Sequence, residues 1–341
     1  MAEIVDLRSD TVTKPTEAMR RAMASAEVGD DVLGDDPTVR ELERATAEVL
    51  GKQGALYMPS GTMTNQVALR TYTEPGDEIL LADNGHIYIY EAGAPAGISG
   101  VMCKLLPSRR GMFTPEAVAD ALRPANVHFP PTKLVCVENT SNRGGGSIWP
   151  IAQIAAVHDV AREAGLSLHL DGARIWNASV ATGIAECEYA KYFDSVSVCF
   201  SKSLGAPVGS CLAGGEAFLA RARRFRKMLG GGMRQAGIIA AGALYALRNH
   251  RERLAEDHAN AKALAAGLAE MKGIDLDPAD VETNIVLFGV TGCPAGELVQ
   301  RLAASGVLVL ATSADHIRAV TNLMVDAADI ERAIDVFAKA L

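Results

Sequence analysis

The sequence predicts an α/β protein in two parts. Residues 1–245, an N-terminal arm included, form a large domain with a mostly parallel sheet covered by helices; residues 246–341 form a smaller α/β domain. Three observations carry this expectation. Short apolar runs alternate with amphipathic helical patterns from about residue 36 to 215. The helical patterns between the runs are long enough to be crossovers, which makes the strands parallel and buries the sheet on both faces. After GGGMRQ at 230–235 the texture changes to a long alanine-rich stretch.

Asp36-Pro37 opens the first clear helix, with the aspartate as N-cap and proline at the first helical position. Val39, Leu42, Val49 and Leu50 give it an apolar side, and Gly51 ends it. ALYMPSG reads as a strand and turn, and EILLAD (78–83), KLVCVEN (133–139), LSLHLD (166–171) and SVSVCFS (195–201) as further strands. Pro150 to Gly165 is a helix with Ile151, Ile154, Val157 and Ala161 on one side. Residues 236–270 are helical with a break near Asn249-His250. NIVLFGV, GVLVLA and HIRAVTN are strands of the small domain, with helices at 295–305 and 327–340.

Hydrophobic residues make up 49% of the chain and charged residues 22%, as in ordinary globular proteins. A net charge of −8 argues against a nucleic-acid footprint. The run Arg221 to Lys227 is the local exception, read by default as a solvated helix face. The six cysteines show no CxxC pair and no zinc spacing, so free thiols in a reducing compartment are expected and no metal site. No signal core and no membrane-spanning apolar stretch occur, which points to a cytoplasmic protein.

Ligands of open parallel sheets bind beyond the carboxyl ends of the strands. Lys202 follows SVSVCF at that edge, Asp171 ends LSLHL, Glu138-Asn139 ends KLVCV, and Ser60-Gly61-Thr62 follows ALYM. Singly, each has a bland reading: a solvated lysine, a turn aspartate before Gly172, an ordinary helix cap. Together, a strand-end lysine and a strand-end carboxylate are what pyridoxal phosphate needs. The lysine carries its aldehyde as a Schiff base, and the carboxylate keeps the pyridine nitrogen protonated. PSGTMTN (59–65), with Gly61 and Thr62, is a turn leading into a helix at QVALRTY, and amides at a helix N-terminus suit a phosphate. His86, in DNGHIYIYEAG, either packs among tyrosines or stacks on an aromatic cofactor; the residues alone leave both open.

With these residues assembled, the chain resembles the low-specificity L-threonine aldolases. DLRSDTVTKPT, VGDDVLGDDPTV, PSGTMTNQ, HIYIYEAG, HLDGARIWNA, CFSKSLGAPVGS, RKMLGGGMRQAG and EDHANA carry the likeness across nearly the whole chain. The resemblance implies the aspartate-aminotransferase fold (PLP fold type I) with a seven-stranded sheet, and pyridoxal 5'-phosphate as cofactor. It implies that Lys202 forms the imine, Asp171 pairs with the pyridine nitrogen, His86 stacks on the ring, and Gly61 and Thr62 hold the phosphate. Arg174 would lie by the cofactor oxygen and the substrate carboxylate, with Ser9 and Arg318 completing that grip. Lys227 and Arg234 would reach a neighbouring subunit's cofactor phosphate in a tetramer built from two dimers.

The chain departs from the family pattern at Ser141 and Asn322, where histidines are frequent; preference around the β-substituent is what these changes put in question. The expected reaction is retro-aldol cleavage of L-threonine and L-allo-threonine to glycine and acetaldehyde. His86 and His128 are the candidates for the β-hydroxyl proton. The rival readings are an aldolase for bulkier β-hydroxy amino acids and a β-eliminating lyase. A non-catalytic scaffold would be expected to lose Lys202, Asp171 or the carboxylate arginines. A nicotinamide enzyme would need a GxGxxG after an early strand.

Overall fold

The computed structural model describes residues 4–341. Seven strands build the main sheet: β1 (Gly54–Met58), β2 (Glu78–Ala82), β3 (Met102–Leu106), β4 (Thr132–Glu138), β5 (Ser167–Gly172), β6 (Ser195–Cys199) and β7 (Ser210–Gly214). Their order across the sheet is β1-β7-β6-β5-β4-β2-β3. β7 runs antiparallel to β1 and β6, and every other neighbouring pair is parallel. The mostly parallel seven-stranded sheet expected from the sequence is therefore present.

Two strands of this sheet escaped the sequence reading. β3 is an edge strand with Met102 exposed and Lys104 at its centre, whose Nζ donates to the Ala121 carbonyl. β7 is Ser-Cys-Leu-Ala-Gly, buried throughout but too small-sided to read as an apolar run. Sheet pairing on both sides holds it as a strand.

The helix Pro37–Leu50 begins as expected. Asp36 Oδ1 accepts the Val39 amide at 2.9 Å, and Gly51 closes the helix in the left-handed region at φ 61°. The other Asp36 oxygen accepts the Gly237 amide at 2.8 Å, tying this helix to the start of helix Gly237–Asn249. The alanine-rich stretch does break, resuming at Leu254–Ala269.

The largest apolar cluster surrounds the main sheet and takes in Trp149, Trp176, Phe193 and Phe200. A second cluster lies under the C-terminal strands and gathers Leu264, Phe288, Leu298, Ile330 and Phe337. Val5 and Leu7 bury in this second cluster, because strand Val5–Asp6 pairs in parallel with Val307–Leu308. GVLVLA is split accordingly: Val307–Leu308 pairs with the N-terminus, while Leu310–Ala311 pairs with strand His316–Val320. Among the described residues no helix is long and apolar enough to cross a membrane.

Candidate active site

The carboxyl ends of β1, β4, β5 and β6 point to one edge, and most of the sequence-predicted residues meet there. A cavity of about 510 Å³ is lined by Ser9, His86, Arg174, Lys202 and Arg318, among others. β5 and β6 pair with Asp171 opposite Ser197, so Asp171 and the loop carrying Lys202 leave adjacent strands.

Asp171 is buried. Its Oδ2 accepts the Asn65 amide at 2.8 Å and its Oδ1 the Ala173 amide at 3.1 Å. Burial alone would raise its pKa, but the charges of His86 and Lys202 and the Asn65 bond outweigh that and hold the carboxyl below its usual range. His86 Nδ1 lies 3.1 Å from Glu91 Oε1. A carboxylate accepts, so the proton sits on Nδ1 and Nε2 is left free. Burial works against a charged imidazole, yet the Glu91 bond and the Asp171 and Glu138 charges raise its pKa.

Gly61 opens helix Gly61–Tyr72, capped by Ser60 Oγ accepting the Met63 amide at 3.2 Å. The first amides of that helix have no intrahelical acceptor. A Cβ on Gly61 would sit 2.7 Å from Cys199 Sγ, so glycine is required where the backbone passes β6.

Arg174 is buried and clamped by Asp10: Nε to Oδ2 at 2.7 Å and Nη2 to Oδ1 at 2.8 Å. This leaves Nη1 for a ligand. Burial opposes the charge on Asp10, but Arg174, Lys202 and the Ser203 hydroxyl together hold its carboxyl well below the usual range. Arg318 is half-buried. Its Nη1 donates to Asn142 Oδ1 at 2.5 Å and its Nη2 to the Arg8 carbonyl at 3.2 Å, while Nε has no partner. Burial lowers its pKa, and no carboxylate among the described residues pairs with it.

Three predicted residues lie elsewhere in the chain. His128 is exposed in the loop before β4. That loop sits at the amino edge of the sheet: Arg123 pairs with Glu78 at the start of β2 and packs over Phe129. The chain itself therefore does not bring His128 beside His86, contrary to the expectation that both flank the hydroxyl. Lys227 and Arg234 are exposed, and Arg234 pairs with Asp30 at 2.9 Å.

The sequence reading missed a buried layer behind the site. Asp10 follows Ser9 in the SDTVT motif. Glu91 closes HIYIYE and joins His86, Asn65 and Gln66. Glu138, noted as a strand end but given no role, accepts the backbone amides of His86 at 2.8 Å and Asn142 at 2.9 Å. The two departures also find physical reasons. Ser141 packs against the backbone of Gly111, where a Cβ would lie 2.0 Å from Ser141 Oγ, and that Oγ accepts the Gly144 amide at 3.1 Å. Asn322 is buried and donates to the Asp6 and Val320 carbonyls, which fastens the N-terminal strand.

The sequence profile of the beta-eliminating lyases matches residues 6–290. The chain belongs to this family. Within it, the low-specificity L-threonine aldolase 1 of Arabidopsis thaliana is 42% identical over 99% of this chain and 96% of its own length. The low specificity L-threonine aldolase of Escherichia coli K12 is 43% identical, covering 94% of each chain. The solved threonine aldolase of Leishmania major superposes with a TM-score of 0.83 at 20% identity, over 98% of this chain and 99% of that one. The likeness to the low-specificity L-threonine aldolases read from the motifs is borne out, and so is the fold.

Proposed function

We propose that the protein is a pyridoxal 5'-phosphate-dependent lyase that cleaves L-threonine and L-allo-threonine, reversibly, to glycine and acetaldehyde. The observation that carries this is Arg318: a half-buried guanidinium with no acidic partner among the described residues, facing a cavity shared with Lys202, Arg174 and His86. A cation so placed calls for an anion, and an amino-acid carboxylate supplies one.

The residues present fit the cofactor. Asp171 is a buried carboxylate kept ionised, as a protonated pyridine nitrogen requires. Gly61 is a backbone cradle that a Cβ would fill, at a helix N-terminus suited to a phosphate. Lys202 would hold the cofactor covalently through Nζ, Asp171 would take its ring nitrogen, His86 would cover its face, and Gly61 and Thr62 its phosphate. When bound, the cofactor supplies a sink for the electron pair released as Cα–Cβ breaks.

The rest is done by the chain. Arg318, the free Nη1 of Arg174 and Ser9 grip the α-carboxylate and so fix which bond at Cα is aligned for cleavage. His86, its Nδ1 proton held by Glu91, presents Nε2 to take the β-hydroxyl proton directly or through a water. Cα regains a proton after cleavage, so the reaction consumes no net acid or base.

Lys227 and Arg234 would serve a neighbouring subunit's phosphate in a homotetramer built from dimers. The exposed apolar residues beside them, Leu33, Met228 and Ile238, support a covered face there. A cytoplasmic setting suits six cysteines that all stay unpaired.

The test is product release from cofactor-loaded protein given each epimer separately. Glycine and acetaldehyde in equal amounts are expected, and Lys202→Ala should lose both turnover and the yellow imine absorbance. Pyruvate and ammonia instead would make the protein an eliminating lyase. No aldehyde from either epimer, with the yellow colour intact, would sink the threonine substrate.

A further inference from the structure

The cavity holds one cation more than threonine needs. Arg143 follows Asn142 on the loop leaving β4 and lines the same cavity as Lys202, His86 and Arg318. Its Nη1 donates to the Tyr90 hydroxyl at 3.1 Å, and the Tyr90 ring lies 5.5 Å from that of His86. Arg143 therefore stands on the His86 side, where the β-carbon's substituent must go if His86 faces the β-hydroxyl. No carboxylate among the described residues pairs with it. Of the acids behind the cavity, Asp10 is committed to Arg174, Ser203 and Asn284, and Glu138 to the backbone amides of His86 and Asn142.

Arg143 is close enough to Arg318 to lower that residue's pKa by charge repulsion. A substrate α-carboxylate neutralises Arg318 and leaves Arg143 without a counter-ion. Two half-buried guanidiniums at one cavity suit a ligand with two anionic groups. Leu310 and Ala311, which also line the cavity, offer no charged group to compete.

We propose that Arg143 adapts this site to β-hydroxy-α-amino acids whose β-carbon carries an anionic group, a carboxylate being the smallest. The inference rests on the aldolase reading above. With 3-hydroxyaspartate, Cα–Cβ breaks and the β-hydroxyl gives up its proton. The β-carbon leaves as the aldehyde of glyoxylate, and Cα takes up a proton to leave as glycine. Atoms balance without an oxidant or co-reactant.

The experiment compares kcat/KM for 3-hydroxyaspartate and threonine in wild type, Arg143→Met and Arg143→Lys. Wild type should release glyoxylate and glycine in equal amounts. In Arg143→Met the ratio of 3-hydroxyaspartate to threonine efficiency should fall about tenfold or more, the scale of a lost charge-assisted hydrogen bond. Arg143→Lys should retain part of it. An unchanged ratio overturns the inference, as does an equal fall for both substrates, which would put Arg143 in the α-carboxylate grip. Cleavage of threonine with none of 3-hydroxyaspartate overturns this inference alone; cleavage of neither overturns the aldolase reading beneath it.

Discussion

Replacing Asp10 by asparagine should cost about 3–5 kcal/mol of stability, the scale for leaving one partner of a buried ion pair uncompensated. The carboxylate takes both Arg174 donors, the Ser203 hydroxyl at 2.9 Å and, more weakly, the Asn284 amide at 3.4 Å. An asparagine oxygen can keep one Arg174 bond, but its NH2 then faces the other donor, and the guanidinium stays buried without a counter-charge. Urea denaturation at pH 7 measures the loss. The sign with pH follows from the depressed carboxyl of Asp10. Its contribution is present in full above the unfolded value, about pH 4, and is lost as pH falls below it. The gap between wild type and variant should therefore be widest at neutral pH and narrow in acid. A variant within about 1 kcal/mol of wild type at pH 7 would refute the reasoning, since that is the scale of a surface pair.

Other outcomes follow from the same geometry. Gly61→Ala places a Cβ 2.7 Å from Cys199 Sγ, so the helix start must shift; cofactor titration should show affinity falling about tenfold, the effect of misaligned charge-assisted bonds, in a protein that still folds. His169 is buried between Ser195 Oγ and Asn65 Oδ1, and burial pushes it down to about 4. The unfolded chain binds that proton near pH 6.5, so thermal stability should decline from about 6.5 toward 4, and His169→Gln should flatten the slope. Glu91→Gln replaces the charged acceptor whose bond raises His86 by a neutral one. The acid limb of kcat/KM should then move to lower pH; an unmoved limb would mean that another group takes the hydroxyl proton.

The strand ends were legible because β-runs such as KLVCV and LSLHL end abruptly in polar residues, and topology then carries those residues to one edge. β7 was illegible because its burial comes from neighbours on both sides, and its own side chains are small. The layer behind the site was hidden for another reason. Asp10 and Arg174 stand far apart in the chain, and nothing local marks an aspartate in a Ser-Asp-Thr turn as an arginine clamp. Glu138 and Glu91 look like strand-end and loop acids until the fold closes over them. His128 shows the converse: its type suited the chemistry, but the strand that follows starts at the wrong edge of the sheet.

Strand Val5–Asp6 has its only strand partner among the described residues in Val307–Leu308, and the Val320 amide reaches back to the Leu7 carbonyl. Just beyond, Thr13 Oγ1 donates to the Lys202 carbonyl. During synthesis this strand leaves the ribosome about 300 residues ahead of its partner and is thus late to dock. The main sheet can assemble as it emerges, and Asp10 can meet Arg174 and Ser203 early, but the strand that leads into them lacks its partner until residues 307–308 have been made. A nascent chain stalled before residue 307 would carry an assembled lysine pocket with an open mouth. Seating of the strand before Ser9 is in this way timed by the arrival of residues 307–320, and contacts of such long sequence separation are slow to form.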